Sequence, residues 1–377
     1  MKENKTIYFD NAATTFPNED VVVLHNKINK EHFANANSIH ALGVDAGAYL
    51  AKAKEKILKC FNLADSRVIF TSGATEANNL AIKGTAFKYQ GRGKHLITSK
   101  IEHPSVLEAF KQLEDFGFKV TYLNVDEKGI VDINELKGAM NEETILVSIM
   151  SVNNEIGTIE PIEEIAKIVH KYPKALFHVD MTQAVGKVSF NYDYIDMLSF
   201  SGHKIHGLKG SGALIAKNKI SFMPLLNGGD QEYGFRSGTS DVASACALAK
   251  ALELSFLTKD SDLLHVKKLN EKLHELLKGE NIVFNSSEAS SPYIVNFSLL
   301  DKKASVVVEA LSLKGIYVSS VSACHSKREP ISYVVEATSN DLNRAKNTIR
   351  ISFDKSNTIE EVETFIDEFK NIVRSIR

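Results

Sequence analysis

A mostly parallel, seven-stranded α/β sheet with a smaller α+β unit on its C-terminal side is the fold class that this sequence predicts. Three observations lead there. The chain has 377 residues, more than the roughly 150 of an average single domain. Through its first two-thirds, short apolar runs alternate with helical patterns, the signature of buried parallel strands covered by helices on both faces. After Thr239 that alternation stops.

The elements follow in order. Candidate strands are Val68–Thr71, His95–Thr98, Val120–Leu123, Ile145–Ile149, Leu176–Val179, Met197–Phe200 and Ala213–Ala216. Helical patterns lie between several of them, at Thr75–Tyr89, Pro104–Phe116 and Ile162–Lys171. A long helical pattern then runs from about Val242 to Lys278 and stops near Gly279, a residue suited to a helix C-terminus. The last helix opens with Thr358-Ile-Glu-Glu361, the spacing of a capping box. Ile359, Val362, Phe365, Ile366, Phe369 and Val373 form its apolar stripe. Residues 15–250 are read as the large unit. Residues 1–14 and 251–377 are read as the small one, with the long helix straddling the junction.

Composition excludes several classes. Apolar residues make up 44% and charged residues 24%, enough for a large core without disulfide or metal staples. Lys+Arg is 45 against Asp+Glu 47, a net charge of -2. That balance gives no overall field to draw nucleic acid or an anionic membrane, so neither is expected as a direct partner. No apolar run approaches the ~20 residues of a membrane span. The segment from Met1 to Ile7 holds no signal-peptide stretch, so a cytoplasmic chain is expected. Three widely spaced cysteines, Cys60, Cys246 and Cys324, with no Cys-x-x-Cys pair, argue against a disulfide framework and against zinc or iron–sulfur sites. No metal site is expected. Gly91-Arg-Gly93 lacks the third glycine of a dinucleotide fingerprint, and Gly93-Lys94 continues into His95 rather than Ser or Thr.

Four segments carry candidate chemistry. In Phe70-Thr-Ser-Gly-Ala-Thr-Glu-Ala-Asn-Asn79 a strand ends in small polar residues and a helix begins, which suits either a phosphate or an ordinary N-cap. Asp180 stands just past an apolar strand, where it could pair with a cationic ring nitrogen or cap a helix. Lys204, in Ser199-Phe-Ser-Gly-His-Lys204 before a glycine-rich turn, could be a desolvated, nucleophilic amine or a solvated loop lysine. Cys324, among Val318–Ser326 with Lys327 and Arg328 behind it, could be a reactive thiolate. Cys60 and Cys246 sit in helical patterns beside apolar residues and read as packing cysteines. A lysine, an aspartate and a phosphate-ready helix start, in this order, together describe a pyridoxal 5′-phosphate site.

The chain resembles the NifS/IscS-type cysteine desulfurases, within the class V aminotransferase-like, fold-type I pyridoxal-phosphate enzymes. The resemblance runs from Ile7-Tyr-Phe-Asp-Asn-Ala-Ala-Thr-Thr15 to Ile349-Arg-Ile-Ser352. It rests on Thr71–Glu76, Glu102-His103, Ser151–Gly157, His178–Gln183, Ser201–Lys204, Arg236–Thr239 and the Ser-Ala-Cys of Ser322–Cys324. It implies that Lys204 is the Schiff-base lysine, that Asp180 holds the ring nitrogen protonated and that Gln183 bonds the ring phenolic oxygen. His103 would stack on the ring. Ala74, Thr75, Ser201 and His203 would hold the phosphate, joined by Thr239 from the partner of a homodimer. Asn154 and Arg350, with Asn35 nearby, would bind the carboxylate of L-cysteine. Cys324 would take the sulfur as a persulfide and pass it to an acceptor protein, an iron–sulfur scaffold or a tRNA-thiolating enzyme. Val321 and His325 depart from the usual Gly and Thr of the cysteine loop. Asp230, Tyr233, Met181 and Ala36 are further departures, and none removes a catalytic group. Another class V enzyme, such as a selenocysteine lyase or an aminotransferase, is the alternative, and a non-catalytic scaffold is a third reading.

Overall fold

The computed structural model describes residues 6–320 and 331–376. Cys324, with Val321 and His325, lies outside the described residues. Seven strands form the main sheet: β1 (Ser66–Thr71), β2 (His95–Ser99), β3 (Lys119–Leu123), β4 (Thr144–Met150), β5 (Leu176–Asp180), β6 (Met197–Ser201) and β7 (Gly212–Lys217). They lie side by side in the order β1-β7-β6-β5-β4-β2-β3. β7 runs antiparallel to both neighbours, and all other pairs are parallel. Every residue of β2, β4 and β6 is buried, whereas edge strand β3 starts with exposed Lys119.

Alternate side chains serve opposite faces. Val68, Ile97, Val147, Ile149 and Ile215 enter one apolar cluster, and Ile69, Leu96, Leu146 and Leu214 enter another on the far side. Fully burying such a side chain stabilises the fold by roughly 1.5–3 kcal/mol. Two helices at Glu19–Glu31 and Ala41–Phe61 cover the first face with Val242–Leu252 of the long helix. On the other face, the Ala74–Tyr89 helix is interrupted by a π-helical turn at Leu80–Gly84, a device that often marks functional sites.

The long helix spans Val242–Leu277, and Gly279 past its end has φ +88°. Its second half belongs to a different core. Val266, Leu269, Leu273 and Leu277 pack with Phe297, Ile351, Phe365 and Phe369 around a four-stranded antiparallel sheet. Ile294–Leu299 and Thr348–Ser352 are its central strands. The closing helix, Ile359–Ser375, carries the full capping box between Thr358 and Glu361. Ile372 is buried in its last turn, with Val373 only partly so. Ile7 and Phe9 also enter this second core, because Ile7–Tyr8 pairs with Ile316–Tyr317 and Asp10 bridges to Ser352. Among the described residues, no helix is long and apolar enough to cross a membrane, and no cluster of His, Cys, Asp or Glu could hold a metal ion.

Candidate active site

Parallel register brings Met150, Asp180 and Ser199 level, so the strands end at a common edge, where α/β sheets place their ligands. A cavity of about 350 Å³ opens there. The turn after β1 supplies Ala74 and Thr75, the turn after β2 His103, and the loop after β4 Asn154. Asp180 and Gln183 come from the end of β5, and Ser201, His203 and Lys204 from the end of β6. Asp10, Ala12 and Ala13 close one side, and Arg350 and Ser319 reach in from the second sheet.

Ten of the residues named from the sequence thus meet in one place. Two others do not. Asn35 is exposed in the turn between the first two helices, where its Oδ1 accepts from the Asn37 N–H at 3.0 Å. Thr239 is exposed just before the long helix and lies apart from this cavity. Cys324 falls outside the described residues.

The turn after β1 depends on glycine. Gly73 has φ +154°, and a Cβ on facing Gly212 would sit 2.6 Å from the Gly73 Cα. Only a bare backbone fits there. The close approach lets the Ala74 N–H, at the helix start, donate to Ser201 Oγ at 2.8 Å. His203 stands beside this end, its Nδ1 3.2 Å from Thr14 Oγ1. Burial, helped by Lys204, Lys209 and Lys187, lowers its pKa to about 4, so it is neutral. A helix start, two hydroxyls and a neutral imidazole suit a phosphate.

Asp180 caps the turn that follows it and also lines the cavity. Its Oδ1 caps the following turn by accepting from the Thr182 N–H at 2.9 Å, and its Oδ2 accepts from Asn78 Nδ2 at 2.8 Å. The carboxylate also lines the cavity, where it can face a cationic ring nitrogen. His103 caps the Pro104–Asp115 helix, and the Ser105 N–H donates to its Nδ1 at 3.1 Å. Nδ1 is therefore an acceptor, and the ring proton sits on Nε2. Burial, with Lys204 adding, keeps this histidine below its usual pKa.

Lys204 donates to the carbonyls of Ala12 and of Ala13, the latter at 2.8 Å. Burial pushes its pKa down to about 7, and the positive charges of Arg350 and Lys187 push the same way. At that value about half of the amine is free base near neutrality, and that fraction is nucleophilic. Arg350 donates to the Asn154 carbonyl at 2.8 Å and to Asp10 Oδ1 at 2.8 Å. Ser319 Oγ donates to the same Asp10 oxygen at 2.9 Å. Asp10 lies within Ile7–Thr15, yet its pairing with an arginine 340 residues away leaves no local signal.

The residues present fit a phosphorylated cationic aromatic aldehyde. Asn154 Oδ1, Thr182 Oγ1, Gln183 Oε1 and Arg350 Nε are buried side-chain atoms with no hydrogen-bond partner among the described residues, and all four residues line this cavity. Buried polar atoms left open in one place are what a polar occupant would satisfy. The other two cysteines take no part. Burial raises the pKa of Cys60 and lifts that of Cys246 to about 11, so both are held as thiols in the first core.

The chain is similar to several known proteins. The cysteine desulfurase IscS of Dictyoglomus turgidum is 39% identical over 378 residues, covering 99% of this chain and 96% of that protein. A solved NifS-like protein has a TM-score of 0.92 at 36% identity, covering 98% of this chain and 100% of that one. SspA, solved in complex with cysteine, has a TM-score of 0.82 at 32% identity, covering 94% and 100%. The fold is that of the NifS-like pyridoxal-phosphate enzymes. The model of the aminotransferase class-V family matches residues 7–365, nearly the whole length, and the protein belongs to that family.

Proposed function

We propose that this chain is a pyridoxal-phosphate-dependent cysteine desulfurase, taking sulfur from L-cysteine and releasing L-alanine. The observation that carries the reading is the convergence of Lys204, Asp180, His103 and Arg350 on one cavity. When bound, the cofactor supplies an aldehyde that joins amines and a cationic ring that takes up negative charge from the substrate. Ala74, Thr75, Ser201 and His203 would hold its phosphate, and Asp180 its ring nitrogen. Gln183, which anchors through Nε2 to the Ala12 carbonyl at 2.9 Å, would face the phenolic oxygen.

The chain's own groups then divide the work. Arg350, backed by Asp10 and the Asn154 carbonyl, binds the cysteine carboxylate. Neutral Lys204 accepts the Cα proton. His103 holds a proton at Nε2 for transfer. The Cys324 thiolate attacks the substrate sulfur: an S–S bond forms, the C–S bond breaks, and its electron pair stays with the carbon fragment. That fragment takes up protons and leaves as alanine, while Cys324 retains a persulfide. Two contacts support this role for Cys324. Ser319, before residues 321–330, lines the cavity, and Tyr333, after them, donates to the Glu102 carbonyl at 2.7 Å, next to His103.

We also infer a homodimer in the cytoplasm that hands sulfur to an iron–sulfur scaffold or a tRNA-thiolating enzyme. Thr239, exposed and apart from this chain's cavity, would complete a partner's site. Phe33 (73% exposed), Ile39 (99%) and Val44 (61%) offer apolar surface for a second copy. Sedimentation showing a fully active monomer would refute the dimer. The deciding experiment measures sulfide and alanine from L-cysteine with a reductant, wild type beside Cys324→Ala. Equimolar products that vanish in the variant are expected. Bound cofactor without sulfide would point instead to another class V reaction, and unchanged sulfide release in the variant would remove Cys324 from the mechanism.

A further inference from the structure

Behind the cavity runs a buried chain of polar side chains that none of the roles above uses. Ser148 Oγ lies 2.8 Å from His178 Nδ1, and His178 Nε2 lies 2.8 Å from Ser199 Oγ. Ser199 Oγ bonds Asn78 Oδ1, and Asn78 Nδ2 lies 2.8 Å from Asp180 Oδ2. The same Asn78 nitrogen is 2.9 Å from Ser105 Oγ. Ser105 holds His103 Nδ1 through its N–H at 3.1 Å, its Oγ lying 2.9 Å away. Ser148, His178, Ser199 and Asn78 have no exposed surface.

The donors can be assigned from one end. An ionised Asp180 only accepts, so the Asn78 group facing it is the amide NH₂. Asn78 Oδ1 must then accept the Ser199 hydroxyl. The Ser199 oxygen is left to accept from His178 Nε2–H, and His178 Nδ1 accepts the Ser148 hydroxyl. All four bonds point the same way, toward Asp180. His178 must be neutral for this, and burial lowers its pKa to about 4. Only a primary amide places two donors on one atom and an acceptor beside them; Asp would bring no donor and Ser a single one.

We propose that Asn78 is a positioning residue: its single amide fixes the Asp180 carboxylate and, through Ser105, the His103 ring in one register, while Ser148, His178 and Ser199 fix the amide. The proposal rests on the reading of Asp180 and His103 as cofactor-facing groups. With the cofactor bound, loss of the Asn78 donor would remove a hydrogen bond that favours the Asp180 carboxylate, and the ring nitrogen facing it would hold its proton less firmly.

The test uses the full chain with and without cofactor. ¹⁵N NMR of the cofactor-free protein near neutral pH should show His178 as the neutral Nε2–H tautomer, a state lost in Ser199→Ala. A protonated or Nδ1–H His178 in the wild type overturns the assignment, whatever the cofactor does. Asn78→Leu should then weaken pyridoxal phosphate binding about tenfold or more, the worth of a hydrogen bond to a charged group. It should also raise the pH midpoint of the bound cofactor's visible absorbance, a shift that a looser fold alone would not produce. Ser199→Ala, a smaller change, should move both readouts the same way and serves if Asn78→Leu does not fold. Wild-type affinity and midpoint in the folded variants overturn the proposal. A wild type that binds no pyridoxal phosphate overturns the functional reading instead, and leaves the NMR result standing on its own.

Discussion

Adding a single carbon at Gly212 gives the most direct test of how the phosphate end is built. A Cβ there would lie 2.6 Å from the Gly73 Cα, 2.7 Å from the Phe200 carbonyl oxygen and 2.8 Å from the Gly73 carbonyl carbon. Ordinary contact begins near 3.4 Å, so in Gly212→Ala something must retreat by about 0.8 Å. β7 cannot be the part that moves freely, since Gly212 pairs with Thr71 on one side and Ser201 on the other. The Gly73 turn yields instead, carrying Ala74 and Thr75 with it. Such overpacking costs about 1–3 kcal/mol, a few degrees of melting temperature in a chain of this size. Misplacing binding groups by nearly 1 Å can cost up to ~100-fold in function. The expected result is a cofactor-free protein that melts a few degrees lower yet binds pyridoxal phosphate at least tenfold more weakly, read from absorbance titrations of apoprotein. Unchanged melting and affinity would mean that the turn is not held by the bare backbone contact, and the account of the cradle would fall.

Two further perturbations have signed outcomes. Lys204 has a pKa of about 7 in the fold and about 10.4 unfolded. Between those values the unfolded chain binds more protons, so stability rises with pH; below about 7 both forms are protonated and the penalty is constant. Cofactor-free wild type should therefore gain on Lys204→Met from pH 7 to 10, by at most ~1.4 kcal/mol per unit. Parallel urea-unfolding stabilities across that range would show that the lysine is not desolvated. Lys54 Nζ stands 2.9 Å from Glu232 Oε2, which also accepts the Phe70 N–H at 2.9 Å. Lys54→Met leaves that buried carboxylate without its cation and should cost about 3 kcal/mol in urea unfolding. A loss under ~1 kcal/mol would mean that the pair contributes no more than a surface contact.

The fold was legible where burial writes a continuous apolar run. β4, buried at all seven positions, and β6, buried at all five, stand out for that reason. Strand ends slipped where polar residues occupy them, as at Ser66 and Lys119. The Ala41–Phe61 helix showed in the sequence only as a helical pattern around Cys60, because it buries mainly small residues, Gly43, Ala46 and Ala53, before Ile57 and Phe61. Lys204, Asp180 and His103 were readable because their chemistry is bound to short local motifs. Asn78 was not. It makes its hydrogen bonds with residues 27, 102 and 121 positions away, and nothing near it in sequence distinguishes it from Asn79 beside it. Asn35, by contrast, was named by the resemblance, and in this chain it stands on an exposed turn away from the cavity.

The segment before Thr14 sets a timetable for making the enzyme. Phe9 N–H donates to Tyr317, the Ser352 N–H donates back to Phe9, and the Ala12 N–H donates to Ser352 Oγ. The carbonyls of Ala12 and Ala13 then take up the Lys204 amine. Ribosomes add about 5–20 residues per second, so residues 7–13 wait on the order of tens of seconds for the strand at 348–352 to be synthesised. The sheet carrying Lys204 can condense well before that. The contacts that tie Phe9 and Ala12 to the second sheet can form only after nearly all of the polypeptide has emerged, so the nascent chain passes most of its synthesis with the carbonyls that receive the Lys204 amine not yet fixed from that side.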